Sequence, residues 1–116
     1  MKIVNYKKEP CDVLITRPSI LGNIFTHLPI GKTQAMFQVK NRDEAVDFYR
    51  DWLNGEEHIY EKFPSLKEQK WEMQRKLVLN LLPSLEGRIF GCCCSPKRCH
   101  GEVLIELVEK LNGLSK

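Results

Sequence analysis

An α/β fold is predicted for this chain by the way its apolar residues are spaced. Two short segments rich in branched residues open it, and two stretches with helical periodicity fill the middle. An apolar strand then runs through a tight turn into an amphipathic helix at the end. The expected architecture is a small Rossmann-like three-layer sandwich, a mostly parallel short sheet with flanking helices, built as one domain over residues 1–116. A chain of 116 residues can enclose a real core without disulfide staples.

The elements follow in order. Lys2 to Tyr6 reads as a short strand, Lys7-Lys8-Glu9-Pro10 as a turn-like connector, and Asp12-Val13-Leu14-Ile15-Thr16 as a second strand. From Arg17 to Lys40 two prolines, two glycines and no sustained period indicate a long loop, and long loops in compact domains are usually functional. Asn41 and Glu44 have the spacing of an N-cap and its N3 partner. Behind them Ala45, Tyr49 and Trp52, flanked by Val46 and Leu53, form an apolar face that Gly55 is placed to stop. Ser65 and Glu68 repeat the capping spacing after Pro64 and predict a helix whose buried face is Trp71, Leu77, Val78, Leu81 and Leu82, with Pro83 ending it. Arg88 to Cys93 is the next strand. Leu104, Leu107, Val108 and Leu111 predict a closing helix that starts near Cys99 or His100.

Composition narrows the function classes. There are 18 basic against 15 acidic residues, a formal charge of +3, which does not by itself indicate nucleic acid as a partner. No run approaches the ~18 apolar residues needed to cross a bilayer, and the opening Met1-Lys2-Ile3-Val4-Asn5-Tyr6 has no signal-peptide character, so a cytoplasmic location is expected. Five cysteines, three of them consecutive, suit no disulfide framework and point to reduced thiols.

Four of those cysteines and one of three histidines fall within nine residues, Cys92 to His100, on the predicted strand-to-helix turn. Cys92, Cys94, Cys99 and His100 are chemically adequate zinc ligands, but structural zinc sites use two separated knuckles and adjacent residues rarely converge on one ion. Cys92 through Arg98 also satisfies the C-x5-R spacing of cysteine-dependent phosphatases. There Pro96 would remove a phosphate-cradling N–H, and the loop lacks glycine. A third reading is a thiolate or bound anion at the start of the last helix, where the helix dipole favours negative charge. Against it stands burial of Cys92, Cys93 and Cys94 as small strand residues, the favoured reading for Cys92 and Cys93. Arg17, at the end of the second strand, is well placed to grip an anion bidentately, and Gly22-Asn23 suits a tight turn. His27 and His58 lack any partner pattern, Glu56-Glu57 reads as a solvated turn, and Trp52 and Trp71 read as core.

These residues together resemble a family of small bacterial and phage proteins defined as a domain of unknown function. Asn5, Asp12, Ile15, Arg17, Ser19, Gly22, Asn23 and Phe25 match the family's first motif, Arg42, Val46 and Tyr49 its middle, and Leu85, Gly87, Cys92, Cys94, Pro96, Cys99, His100, Gly101 and Leu104 its last. Leu21 and Cys93 stand where the family pattern has tryptophan, and Ile24 where it has proline; the lost aromatics bear on ligand preference. Arg98 falls on a variable position, which weakens the phosphatase reading further. The resemblance implies no reaction. More distantly the chain is similar to small α/β families with a Cys-x4-Cys-His turn that are suspected of handling nucleotides.

The expectation is therefore a site at the strand ends that binds, with turnover left open, a nucleotide or other small phosphorylated or anionic ligand. Cys94, Cys99 and His100 are the catalytic candidates, and Arg17, Ser19, Gly22, Asn23, Phe25 and Gly101 the ligand-binding ones. No metal ligand set and no cofactor is assigned. The alternative is a non-catalytic, zinc-stabilised module that binds nucleic acid or a protein partner.

Overall fold

The computed structural model describes residues 1–17, 19–28, 37–93 and 97–113. Its main sheet has three parallel strands, β1 (Lys2–Asn5), β2 (Val13–Leu14) and β5 (Ile89–Cys92), in the order β1–β5–β2. The last strand thus sits in the centre. Lys2 pairs with Ile89 and Asn5 with Cys92 on one side, and Val13 pairs with Phe90 on the other. Asp12 closes the entry end twice: its N–H donates to the Ile89 carbonyl, and its carboxylate accepts the Ile89 N–H, each at 2.8 Å. A second, two-stranded parallel sheet joins β3 (Phe25–Thr26) to β4 (Phe37–Gln38).

Helix α1 (Arg42–Leu53) begins as its sequence predicts. The Asn41 side chain accepts the Glu44 N–H at 2.8 Å, while the Glu44 carboxylate reaches back to the N–H of Lys40 rather than that of Asn41. Gly55, at φ +71°, takes the left-handed conformation that ends the helix. Helices α2 (Glu57–Lys62) and α3 (Gln69–Leu81) follow, separated by a 3₁₀ turn, Pro64–Lys67, and a second such turn, Leu82–Leu85, carries Pro83. Helix α4 (Gly101–Leu111) closes the fold and packs across the Ile3 and Ile15 side chains of the main sheet. On the opposite face Gly91 leaves room for the side chains of Cys11 and Tyr6. The result is an α/β fold, a parallel sheet with flanking helices. No helix of the described residues is long and apolar enough to cross a membrane.

The core lies between α1, α3, α4 and the two sheets. Phe25, Phe37, Phe63 and Trp71 form a chain of tilted and edge-on rings with centroids 5.3–5.7 Å apart, a geometry aromatic quadrupoles favour. Trp52 and Tyr49 are completely buried beside it.

Four expectations are corrected. The Arg17–Lys40 segment is no uninterrupted loop, since it contributes β3 and β4; strands of two residues have no alternation to read. Ser65 and Glu68 form no capping box: Ser65 lies in the 3₁₀ turn, and Glu68 is itself the N-cap of α3, with no side-chain cap. On the last two helices Leu77, Leu81 and Leu111 are exposed, while Trp71, Val78 and Leu82 are buried. Glu56 and Glu57 are exposed as expected of a solvated turn, but Glu57 opens the short helix α2, whose six residues give too little periodicity to recognise.

Candidate functional site

Parallel strands end at the same edge, so the chain leaving β2 and the chain leaving β5 emerge side by side. The Ile15 N–H donates to the Gly91 carbonyl at 3.0 Å and extends this pairing one residue past β2. Beyond it the chain folds back on itself. Ser19 N–H donates to the Thr16 carbonyl, Gly22 N–H to the Ser19 carbonyl at 2.8 Å, and the Ser19 hydroxyl accepts the Leu21 N–H at 3.2 Å. Ser19 therefore shapes the turn. Its end is fixed by Arg17, whose guanidinium donates to the Asn23 carbonyl at 2.8 Å.

Asn23 is buried, and both the oxygen and the nitrogen of its side-chain amide are hydrogen-bonded. Its carbonyl oxygen accepts the Phe25 N–H at 2.9 Å, and its amide donates to the Ala45 carbonyl of α1 at 3.0 Å. This one side chain ties the turn to a helix. Gly22 is required by a close approach rather than by backbone strain: a Cβ there would lie 2.9 Å from both the Cγ and the N of Arg17. At Gly101 a Cβ would meet the Ile3 and Ile15 methyls at 2.7 and 2.9 Å, the ends of flexible side chains. Gly22→Ala is accordingly expected to cost about 1–3 kcal/mol, more than Gly101→Ala. Urea denaturation of the two variants checks the order, and equal losses would contradict it.

His100 joins the two motifs. Its Nε2 lies 2.9 Å from the Ile15 carbonyl and 2.8 Å from the Leu21 carbonyl, and its ring meets the Tyr49 ring edge-on at 5.0 Å. Carbonyls only accept, so Nε2 carries the proton and is shared between them. Burial pushes the pKa down to about 4, helped by nearby Arg17, although the two carbonyls pull it upward. The imidazole is neutral at pH 7, and any proton exchange with a ligand falls to Nδ1.

Between these elements lies a cavity of about 220 Å³. Its wall includes Thr16, Arg17, Asn23, Phe25, Thr26 and His27 from the first motif, Arg42, Ala45 and Val46 from α1, and Cys92, Cys93, Arg98, Cys99 and His100 from the last motif. Arg17, Asn23, Phe25, Cys99 and His100 are thus brought together, while Ser19, Gly22 and Gly101 stand behind the wall and shape it. Cys94 lies outside the described residues. Thr16, Thr26, His27 and Arg42 also line the cavity, though none is among the site candidates read from the sequence. Arg42 belongs to the matching motif residues, and that was its available signal.

The Cys92 and Cys99 sulfurs lie 3.6 Å apart, both buried, and Cys99 Sγ accepts the Gly101 N–H at 3.4 Å; Cys93 is exposed. Among the described residues no group of three or more His, Cys, Asp or Glu side chains could hold a metal ion. Arg98 is engaged by carboxylates of α1 and α4. It is bound to Asp43 and Asp47 at 2.9 Å and Glu102 at 2.8 Å, carboxylates that hold its pKa well above the usual value. Arg50 extends this cluster to Glu106 at 3.0 Å and so links α1 to α4.

Comparison with known proteins gives two findings. A family model described as "Domain of unknown function (DUF4326)" matches residues 2–110. The chain is also similar to the "Uncharacterized 12.4 kDa protein in nrdA-td intergenic region" of Enterobacteria phage T4, with 26% identity over 110 residues, covering 95% of this chain and 79% of the phage protein. No solved structure matches it significantly.

Proposed function

Starting from the premise that this chain belongs to the DUF4326 family, we propose that it binds a small phosphorylated or otherwise anionic ligand, such as a nucleotide, at the carboxyl ends of β2 and β5. The observation that carries this reading is the charge of the cavity wall. Arg17, Arg42 and Arg98 all border it, and among the described residues no aspartate or glutamate does. Arg98 is neutralised by three carboxylates. Among the described residues Arg17 and Arg42 form no ion pair, so their charge is available to a ligand.

The placement agrees with the way Rossmann-like sheets present ligands beyond their strand ends. Arg17 would clamp the anion, held at its angle by the Asn23 carbonyl, with Arg42 completing the charge. Thr16 and Thr26 supply hydroxyls, and Phe25 and Val46 an apolar wall. A cavity of about 220 Å³ falls below the roughly 300–1,000 Å³ that encloses drug-sized ligands. It suits a compact phosphorylated molecule or the phosphate end of a nucleotide. Binding has more support than turnover. A nucleophilic Cys94 or Cys99 with His100 as proton partner is the catalytic version, but Nε2 of His100 is committed to two carbonyls and its Nδ1 is a weak base.

The test is thermal denaturation with phosphate, sulfate or AMP against sodium chloride at equal ionic strength. Hydrogen bonds to charged groups contribute about 1.5–3 kcal/mol. Wild-type protein should be stabilised by the phosphorylated ligand, and Arg17→Ala should weaken its affinity by about tenfold or more. Equal stabilisation of both proteins, or of neither, would overturn the reading.

A further inference from the structure

We propose that Cys92 and Cys99 form a peroxide-reactive dithiol in the wall of the cavity, closing reversibly to an intramolecular disulfide. This goes beyond ligand binding and does not depend on it. Three observations carry it. The sulfurs lie 3.6 Å apart, so they need approach by only about 1.6 Å to reach the ~2.05 Å of a disulfide. They sit on different elements, the end of β5 and the residue before the N-cap of α4, so closure needs side-chain rotation and small shifts of a strand end and a turn. Both border the cavity, which gives a molecule as small as hydrogen peroxide a route to otherwise buried sulfur.

The geometry also orders the steps. Cys99 is 7% exposed and Cys92 1%, and the Gly101 N–H points at the Cys99 sulfur, a contact that strengthens once the sulfur is anionic. Cys99 therefore attacks first. A sulfur–oxygen bond forms, the peroxide O–O bond breaks, and hydroxide leaves and is protonated to water, making Cys99 a sulfenic acid. The Cys92 sulfur then attacks the Cys99 sulfur. The S–S bond forms, the S–O bond breaks, and the departing hydroxide takes the Cys92 thiol proton as a second water. Two thiols are oxidised by two electrons and one peroxide is reduced. A dithiol reductant restores the starting state by exchange.

The experiment uses the full chain, reduced, desalted and treated with a chelator, then exposed to stoichiometric hydrogen peroxide and analysed by peptide mass mapping. The expected product has lost the mass of two hydrogens, carries a Cys92–Cys99 cross-link, and reverts with dithiothreitol. Cys93→Ser should behave like wild type, while Cys92→Ser should stop at a Cys99 sulfenic acid that dimedone traps. A cross-link to Cys94 or Cys11, or oxidation of Cys99 to sulfinic acid in wild type without any disulfide, would overturn the proposal. So would stoichiometric zinc in the protein as purified that both sulfurs are needed to retain. Should Cys92→Ser fail to fold, the wild-type cross-link map decides alone.

Discussion

Acidification should destabilise this fold by about 3 kcal/mol through one buried side chain, His100. In the folded chain its pKa is pushed down to about 4, against an ordinary value of 6.5, chiefly because burial disfavours the charged ring. Between those values the unfolded chain binds a proton that the folded chain refuses. The contribution is fully present above about pH 6.5, falls as the pH drops toward 4, and has no further slope below. Arg17 faces the same ring and opposes its charging, whereas the Ile15 and Leu21 carbonyls and the Tyr49 ring edge carry no formal charge. Urea denaturation across this pH range measures the effect, with His100→Gln as the reference. Gln can still donate to the carbonyls but cannot titrate, so the variant should lose the slope. Parallel profiles for the two proteins would show that the imidazole is not its source.

Trp52 should give the largest mutational loss. It is fully buried against Tyr49, with ring centroids 5.8 Å apart, and Trp52→Ala is expected to cost about 3–5 kcal/mol. Its indole Nε1 has no hydrogen-bond partner among the described residues. A buried donor left unsatisfied costs about 1–3 kcal/mol, so Trp52→Phe removes a penalty while losing packing. It should come within about 1 kcal/mol of wild type. Chemical denaturation of the two variants checks the contrast. A Phe variant as unstable as the Ala variant would mean that shape alone holds this site.

Much of the fold was legible because its signals are local. Asn41 caps α1, Gly55 stops it, and the apolar spacing of Leu104, Leu107 and Val108 gives α4 its buried face. The convergence of Arg17 with Cys99 and His100 was legible as well, since both motifs follow strands and parallel strands share an exit edge. What escaped notice depends on partners distant in sequence. The pairing of Phe25 with Phe37 is a two-residue ladder held by tertiary packing. Asn23, a ligand-binding candidate by sequence, donates from its amide to the Ala45 carbonyl. His100, a catalytic candidate by sequence, has its Nε2 held between the Ile15 and Leu21 carbonyls. In both cases a polar side chain placed beside a cavity is absorbed by backbone that no spacing rule connects to it.

The central position of β5 bears on biosynthesis. β1 and β2 are synthesised well before β5, yet neither pairs with the other; among the described residues each finds its ladder partner on the strand beginning at Ile89. Until that segment emerges, the amino-terminal strands have no ladder to join, and such distant pairing is slow because a long loop must close first. A nascent chain halted before Ile89 has no main sheet and lacks the part of the cavity wall that Cys92 to His100 supply. Assembly of the main sheet is thereby tied to synthesis of the Ile89–Cys92 segment, long after the strands that pair with it.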